Sequence, residues 1–266
     1  MRPLKFHPIL KQTLWGGERI IPYKELASGL SRVGESWELS GMPGSESVVA
    51  EGPWAGSTLS ELIGRFGAEL LGKANYARFG QEFPLLVKFI DAREDLSIQV
   101  HPDDELARKR HGKSGKCEMW YVLEAEPGAS LLTGFSRPIA PAEYERRVAD
   151  NTLTDVLNRQ AIASGDVFYL PAGRVHSIGK GSFIVEIQQS SDITYRIYDF
   201  DRRDAAGNSR ELHTELAREA IDFESSENSR ITYAPENNQE VRLVTTPYFT
   251  TSLYTLTART RCDWSA

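Results

Sequence analysis

The sequence predicts a mainly β fold: a barrel or sandwich of short strands carrying a helical insertion. Two observations lead there. Eight short runs rich in β-branched and aromatic residues are spread along the chain and separated by turn residues, and only four stretches carry a helical period. Many short strands with few helices fit a closed or two-sheet β architecture.

The elements follow in chain order. Ser47 to Ala50 reads as the first strand. Thr58-Leu-Ser-Glu61 is a capping-box pattern that opens a helix with Leu59, Leu62, Ile63, Phe66 and Leu70 on one face. Leu85 to Asp91 and Leu96 to His101 read as strands, and Asp103 to His111, following Pro102, as a short helix. Glu118 to Glu124 and Ser130 to Thr133 are the next strands. Pro138 and Pro141 then punctuate the start of a helical insertion over the barrel, running to about Arg159. Its buried side would be Tyr144, Val148, Val156 and Leu157. Val167 to Leu170, Phe183 to Gln188 and Thr194 to Asp199 complete the strands, and Arg210 to Phe223 is a last helix. From Val241 to Thr260 the sequence alternates like two strands, with Tyr248, Phe249, Leu253, Tyr254 and Leu256 as their apolar residues. We therefore expect a first domain over 1–235, with its helical segment near 138–160. Residues 236–266 would begin a second, apparently incomplete β lobe, more exposed and mobile than the rest.

Composition removes several function classes. A chain of 266 residues with 40% hydrophobic and 26% charged residues can bury a sizeable core and is not disordered or fibrous. The net charge of −6 argues against nucleic acid and anionic membranes as partners. The basic run Arg108 to Lys113 then reads as a solvated helix end. The longest apolar stretch, Phe83 to Ile90, is short and broken by Lys88, and the N-terminus lacks a signal-peptide core, so a cytoplasmic protein is expected. Cys117 and Cys262 sit far apart in no metal-type spacing and read as two reduced thiols.

Three segments carry candidate chemistry. In Ser97-Ile-Gln-Val-His101 the apolar and polar residues alternate, so Ser97, Gln99 and His101 share one strand face. That face is either solvated or lines a site. Gly165-Asp-Val-Phe-Tyr-Leu-Pro171-Ala-Gly173-Arg-Val-His176 sets a Pro/Gly reversal before a histidine, which fixes the imidazole direction. Glu118 in Lys116-Cys-Glu118-Met-Trp120 heads an apolar strand, where an inward carboxylate needs a partner or a metal. Together Gln99, His101, Glu118 and His176 offer two imidazoles, a carboxylate and an amide oxygen, a set that suits zinc.

The Gly165 to His176 spacing resembles the second motif of the cupin superfamily, whose members are small jelly-roll barrels with a divalent metal in the mouth. A wider set of segments resembles the type I mannose-6-phosphate isomerases in their short bacterial form. These are Thr13-Leu-Trp15-Gly-Gly17, Gly34-Glu-Ser-Trp37-Glu, Phe83-Pro-Leu-Leu-Val-Lys88, Ser97 to Asp104, Lys116-Cys-Glu118, Pro171 to Gly181, Gln188 to Arg196, Tyr198 to Arg202 and Arg210-Glu-Leu-His213. The resemblance implies a cupin/jelly-roll barrel that interconverts mannose 6-phosphate and fructose 6-phosphate through an enediol(ate). It implies one Zn2+ per chain on Gln99, His101, Glu118 and His176, and Arg196 as a catalytic residue. Glu186 is the candidate base and Lys116 a rival acid/base, with Ser97 and Lys88 as candidates for holding substrate. The partner would be a phosphorylated sugar, and the protein a monomer or homodimer. The alternative is a sugar-phosphate-binding metal cupin that is non-catalytic or differently specific. Family members of this form usually continue through a second β lobe, inside which this sequence ends.

Overall fold

The computed structural model describes residues 3–224 and 228–261. Its strands are β1 (Ile9–Gly17), β2 (Val33–Ser40), β3 (Leu85–Ala92), β4 (Ile98–Val100), β5 (Glu118–Ala125), β6 (Ser130–Phe135), β7 (Leu157–Ala161), β8 (Val167–Leu170), β9 (His176–Ile178), β10 (Ser182–Gln189), β11 (Tyr195–Tyr198), β12 (Arg230–Ile231), β13 (Glu240–Thr245) and β14 (Thr250–Tyr254). The helices are α1 (Ile20–Tyr23), α2 (Leu59–Phe66), α3 (Ala68–Leu71), α4 (Lys73–Phe79), α5 (Asp104–His111), α6 (Pro141–Ala149) and α7 (Thr214–Ala220), with a 3-10 turn at Leu153–Val156. None is long and apolar enough to cross a membrane.

Two antiparallel sheets form the body. The larger has the order β1-β2-β3-β10-β5-β8-β12 and the smaller β11-β4-β9-β6-β7. Period-two alternation assigns their faces. Ile90, Trp120, Val122, Phe168 and Ile184 of the large sheet pack with Leu131 and Ile178 of the small one, so this cluster is the core between the sheets. The opposite face of the small sheet carries Ile98, Val100, Leu132, Tyr195 and Ile197, which pack on Ala107, Tyr144, Leu153, Val156 and Ala217 of a helical layer. The mainly β, cupin-type expectation therefore holds, with helices covering one sheet.

Several boundaries differ from the sequence reading. Ser47 to Ala50 forms only isolated bridges, Phe6 with Val49 and Val48 with Thr58. The capping box at Thr58 forms as expected, but the helix breaks at Gly67, whose φ of 49° ends α2 and starts α3. Leu96 packs between the sheets while Ile98 and Val100 pack on the helices, because regular alternation begins only at β4. The insertion is helical over Pro141–Ala149 and again in the 3-10 turn Leu153–Val156, and Tyr144 to Val148 pair with no strand among the described residues. Leu157–Ala161 instead forms β7 and pairs with β6. Its Leu157 still joins the helical-layer core, which explains why it read as part of a helix face. The last helix is α7 alone, shorter than Arg210 to Phe223.

The C-terminal segment is better supported than its sequence suggests. β13 and β14 pair only with each other, yet they lay Leu243, Val244 and Phe249 on Met119, Val167 and Ile187 of the large sheet's outer face. The Tyr248 hydroxyl donates to Asp104 Oδ2 at 2.6 Å, which pins the hairpin to the start of α5. Leu256 stays exposed. Cys117 is a buried thiol, pushed up to about 12 by desolvation, and Cys262 lies outside the described residues.

Candidate metal centre and active site

Two rows of side chains face each other across the space between the sheets. On the small sheet, Arg196 is opposite Gln99, Gln99 opposite His176, and His176 opposite Thr133. On the large sheet, Trp37 is opposite Lys88, Lys88 opposite Glu186, and Glu186 opposite Trp120. Glu118 is two residues before Trp120, so it shares that inward face. Glu186 thus points inward, flanked by Ile184 and Gln188 on its own strand.

Local chemistry aims the two histidines. His101 Nδ1 donates to the Ile193 carbonyl at 2.8 Å and His176 Nδ1 to the Arg174 carbonyl at 2.8 Å. Each bond commits Nδ1 as the proton carrier and leaves the Nε2 lone pair for the site. The reversal before His176 closes through Arg174 N–H to the Pro171 carbonyl at 3.2 Å, and Gly173 N–H donates to the His101 carbonyl at 2.9 Å. Gly173 has a φ of 85°, a conformation that favours glycine. The turn therefore sets one histidine's direction while binding the backbone of the other.

Three donors converge. Ligand atoms of His101, Glu118 and His176 lie within 4.8 Å of one another, and all three residues are buried. His101 Nε2 is 3.5 Å from Glu118 Oε2, and His176 Nε2 is 3.3 Å from Glu118 Oε1. Gln99 reaches the same point: its Nε2 lies 3.3 Å from His176 Nε2, and its Oε1 accepts from the Ser97 hydroxyl at 3.2 Å. A half-turn of the amide would present Oε1 instead.

Electrostatics make this set ready for a cation. Burial first, and then the charge of Lys116, push His101 down to about 3 and also lower His176. Burial alone would raise Glu118, but Lys116 and the two imidazoles hold it well below the usual carboxylate range. Both imidazoles are therefore neutral, and their close approaches to Glu118 are not ion pairs. Lone pair faces lone pair: His101 Nε2 and Glu118 Oε1 accept no hydrogen bond among the described residues, while Glu118 Oε2 faces the Lys116 ammonium. Buried acceptors without donors are costly unless a cation lies among them.

The other expected residues surround this cluster. Lys116 Nζ is 3.0 Å from Glu118 Oε2. Lys88 Nζ is 2.8 Å from Glu186 Oε1 and 3.7 Å from Glu35, and Trp120 Nε1 donates to Glu186 Oε2 at 2.8 Å. Burial opposes the charge on Lys88, but Glu186 and Glu35 overcome it and raise its pKa. Ser97 is buried, with its hydroxyl on Gln99. Arg196 donates from Nη1 to the Glu211 carbonyl at 2.9 Å, while its buried Nε has no hydrogen-bond partner among the described residues.

Comparison with known proteins places this geometry in a family. A model described as phosphomannose isomerase type I, catalytic domain, matches residues 4–134. The mannose-6-phosphate isomerase ManA of Bacillus subtilis is 39% identical over 224 residues, which cover 84% of this chain and 69% of that protein. The chain belongs to the type I mannose-6-phosphate isomerase family. A second relative, the mannose-6-phosphate isomerase of Streptococcus mutans, is 37% identical over 251 residues, 93% of this chain and 77% of its own. The solved mannose 6-phosphate isomerase of Bacillus subtilis superposes with a TM-score of 0.85 at 33% identity, covering 94% of this chain and 79% of that one.

Within this member of the type I isomerases, sequence reasoning assigned no role to four residues at the site. Glu35 accepts from Trp37 Nε1 at 2.6 Å and closes the far side of Lys88. Trp120 sets its ring edge-on to His176, with centroids 5.4 Å apart. His213 accepts the Arg196 backbone N–H at Nδ1 (3.2 Å), and its own N–H donates to the Arg196 carbonyl at 2.6 Å. Glu35, Trp37 and His213 all sit in segments that carried the resemblance; what the sequence lacked was their partners.

Proposed function

We propose that this chain is a zinc-dependent aldose–ketose isomerase that interconverts mannose 6-phosphate and fructose 6-phosphate. The observation that carries the reading is the convergence of neutral imidazole lone pairs and an ionised carboxylate on one buried point. Gln99, His101, Glu118 and His176 would hold the metal, one per chain. When bound, zinc supplies Lewis acidity to the sugar oxygens.

The isomerisation moves a proton between C1 and C2 through an enediol(ate), so the site needs a base and a stabiliser of oxyanion charge. Arg196 is the stabiliser: burial and then Arg210 lower its pKa, but from a value so far above neutrality that it stays a cation. Lys116 is one proton-transfer group, adjacent to the donor cluster. Glu186 is the other, positioned between Lys88 Nζ and the Trp120 indole N–H. Lys88 and Ser97 would contact sugar oxygens. Every residue in this scheme precedes residue 200, and we assign the catalytic unit to 1–235.

A coupled assay following fructose 6-phosphate formation from mannose 6-phosphate, with and without chelator, tests the reading. Turnover that a chelator abolishes and zinc restores is expected. No turnover with one equivalent of zinc bound would overturn it.

A further inference from the structure

Lys116 lies just ahead of β5, outside the ladder that fixes Glu118 opposite Leu170 and Gln188. Its ammonium is buried, 3.0 Å from Glu118 Oε2. A flexible four-carbon stem is aimed by the backbone beneath it. That backbone is held at three consecutive residues. Gly115 N–H donates to Asp104 Oδ1 at 2.9 Å, Lys116 N–H to the Pro102 carbonyl at 3.1 Å, and Cys117 N–H to Gln189 Oε1 at 2.8 Å. Gln189 returns its own N–H to the Cys117 carbonyl at 3.2 Å.

One carboxylate joins these contacts. Asp104 Oδ1 accepts from Gln189 Nε2 at 3.0 Å as well as from Gly115. The buried Gln189 amide is thereby fixed in one orientation, its oxygen on a backbone N–H and its NH2 on a carboxylate. The approach of the two segments is close: a Cβ on Gly115 would stand 2.4 Å from the Asp103 carbonyl carbon. Asp104 Oδ2 accepts from the Tyr248 hydroxyl at 2.6 Å. Tyr248 is itself held by Arg78, whose guanidinium lies 5.7 Å from the ring centroid and donates to the Pro247 carbonyl. Burial opposes the charge on Asp104, but its three donors hold its pKa below the usual value.

We propose that Asp104 and Gln189 form a positioning clamp for Lys116, braced from the C-terminal hairpin by Tyr248. The metal donors have supports of their own: Glu118 its ladder, His101 the Ile193 carbonyl and His176 the Arg174 carbonyl. Loosening the clamp therefore displaces Lys116 and spares the donor cluster. Proton transfer needs its donor and acceptor within hydrogen-bond reach, and a displacement of about 1 Å costs on the order of 100-fold in rate. The effect on turnover rests on the reading of Lys116 as a proton-transfer group of an isomerase; the clamp itself does not.

The test compares zinc-loaded Asp104→Ala, Asp104→Asn and Tyr248→Phe with the parent chain. In D104A, kcat for mannose 6-phosphate should fall about 10–100-fold, with KM within about twofold of the parent and zinc still at one per chain. An asparagine oxygen accepts from Gly115 and Gln189 as the carboxylate does, so D104N should recover most of kcat. Y248F keeps the ring under Arg78 and loses one hydrogen bond, so its fall should be smaller, roughly 2–10-fold. Gln189→Ala opens the same clamp from its other side and serves in case D104A does not fold. Amide hydrogen exchange reads the clamp without turnover. In D104A the Cys117 N–H, which Asp104 does not touch, should exchange faster together with that of Gly115, while Trp120 to Val122 stay protected. A folded D104A with parent kcat, a loss of zinc that accounts for the fall, or a D104N as impaired as D104A overturns the clamp. So does Cys117 exchange that stays at the parent rate. Loosened Cys117 in a chain that does not turn over mannose 6-phosphate supports the clamp and removes only the isomerase reading.

Discussion

Replacing Glu118 by Gln probes the electrostatic core of the site while keeping its shape. Glu118 is wholly buried, and its closest charged neighbour is the buried Lys116, 3.0 Å away. In metal-stripped protein the amide removes the closest counter-charge of the buried Lys116 ammonium. Breaking a buried pair by removing one partner costs about 3–5 kcal/mol. A chain of this size loses about 2–4 °C of Tm per kcal/mol, so Glu118→Gln should melt roughly 6–20 °C below the parent. Adding Lys116→Met should recover a large part of that loss, because the pair is then absent rather than broken. Calorimetric unfolding of the four proteins in chelator, at neutral pH, measures the cycle. A stripped Glu118→Gln protein melting within about 2 °C of the parent, a loss of less than about 1 kcal/mol, would refute the account of a carboxylate held ionised by Lys116.

Other consequences follow from the same geometry. In metal-stripped protein the native state keeps His101 and His176 neutral below pH 6.5, where the unfolded chain takes up protons, so stability should fall as pH drops from about 6.5 towards 3. Each imidazole contributes up to about 1.4 kcal/mol per pH unit, and Glu118, whose native pKa is depressed, adds to the loss below about pH 4.3; denaturant melts across this range check the sign. His176→Ala should lose metal and turnover together, whereas Arg196→Ala should keep metal and lose turnover, as metal analysis beside the isomerase assay would reveal. His213→Asn keeps an acceptor where Nδ1 sits on the Arg196 N–H, so it should retain most of kcat, while His213→Ala and His213→Gln should not, with zinc content equal in all three. Phe249→Ala should destabilise by about 3–5 kcal/mol, and hydrogen exchange should show β14 protected with the core rather than fraying; exchange as fast as in the exposed loops would show that the hairpin does not dock.

What could be read from the sequence, and what could not, follows from the range of each interaction. Alternation in Ser97 to His101 was enough to group Ser97, Gln99 and His101, because strand facing is a local property. The Pro171–Gly173 reversal was likewise local, and it does aim His176. Glu186 resisted the same logic, since Ile184 and Gln188 gave no contrast between faces; its direction is decided by Lys88 and Trp120, on strands far away in sequence. β1 and β2 escaped notice as strands because their register shifts interrupt the alternation. The hairpin after Glu240 read as unsupported because its cover, the outer face of β5, β8 and β10, was formed by residues assigned to the barrel. Arg210 and Asp199 are eleven residues apart and pair only because the loop between them folds back.

Titrating zinc into chelator-stripped protein, while following bound metal and mannose 6-phosphate turnover in the same samples, tests the central claim most directly. The account predicts that turnover rises with bound zinc and saturates at one ion per chain, and that His101→Ala and His176→Ala neither bind the ion nor recover activity. Full turnover in the stripped protein, or zinc-dependent turnover that survives loss of both histidines, would contradict it.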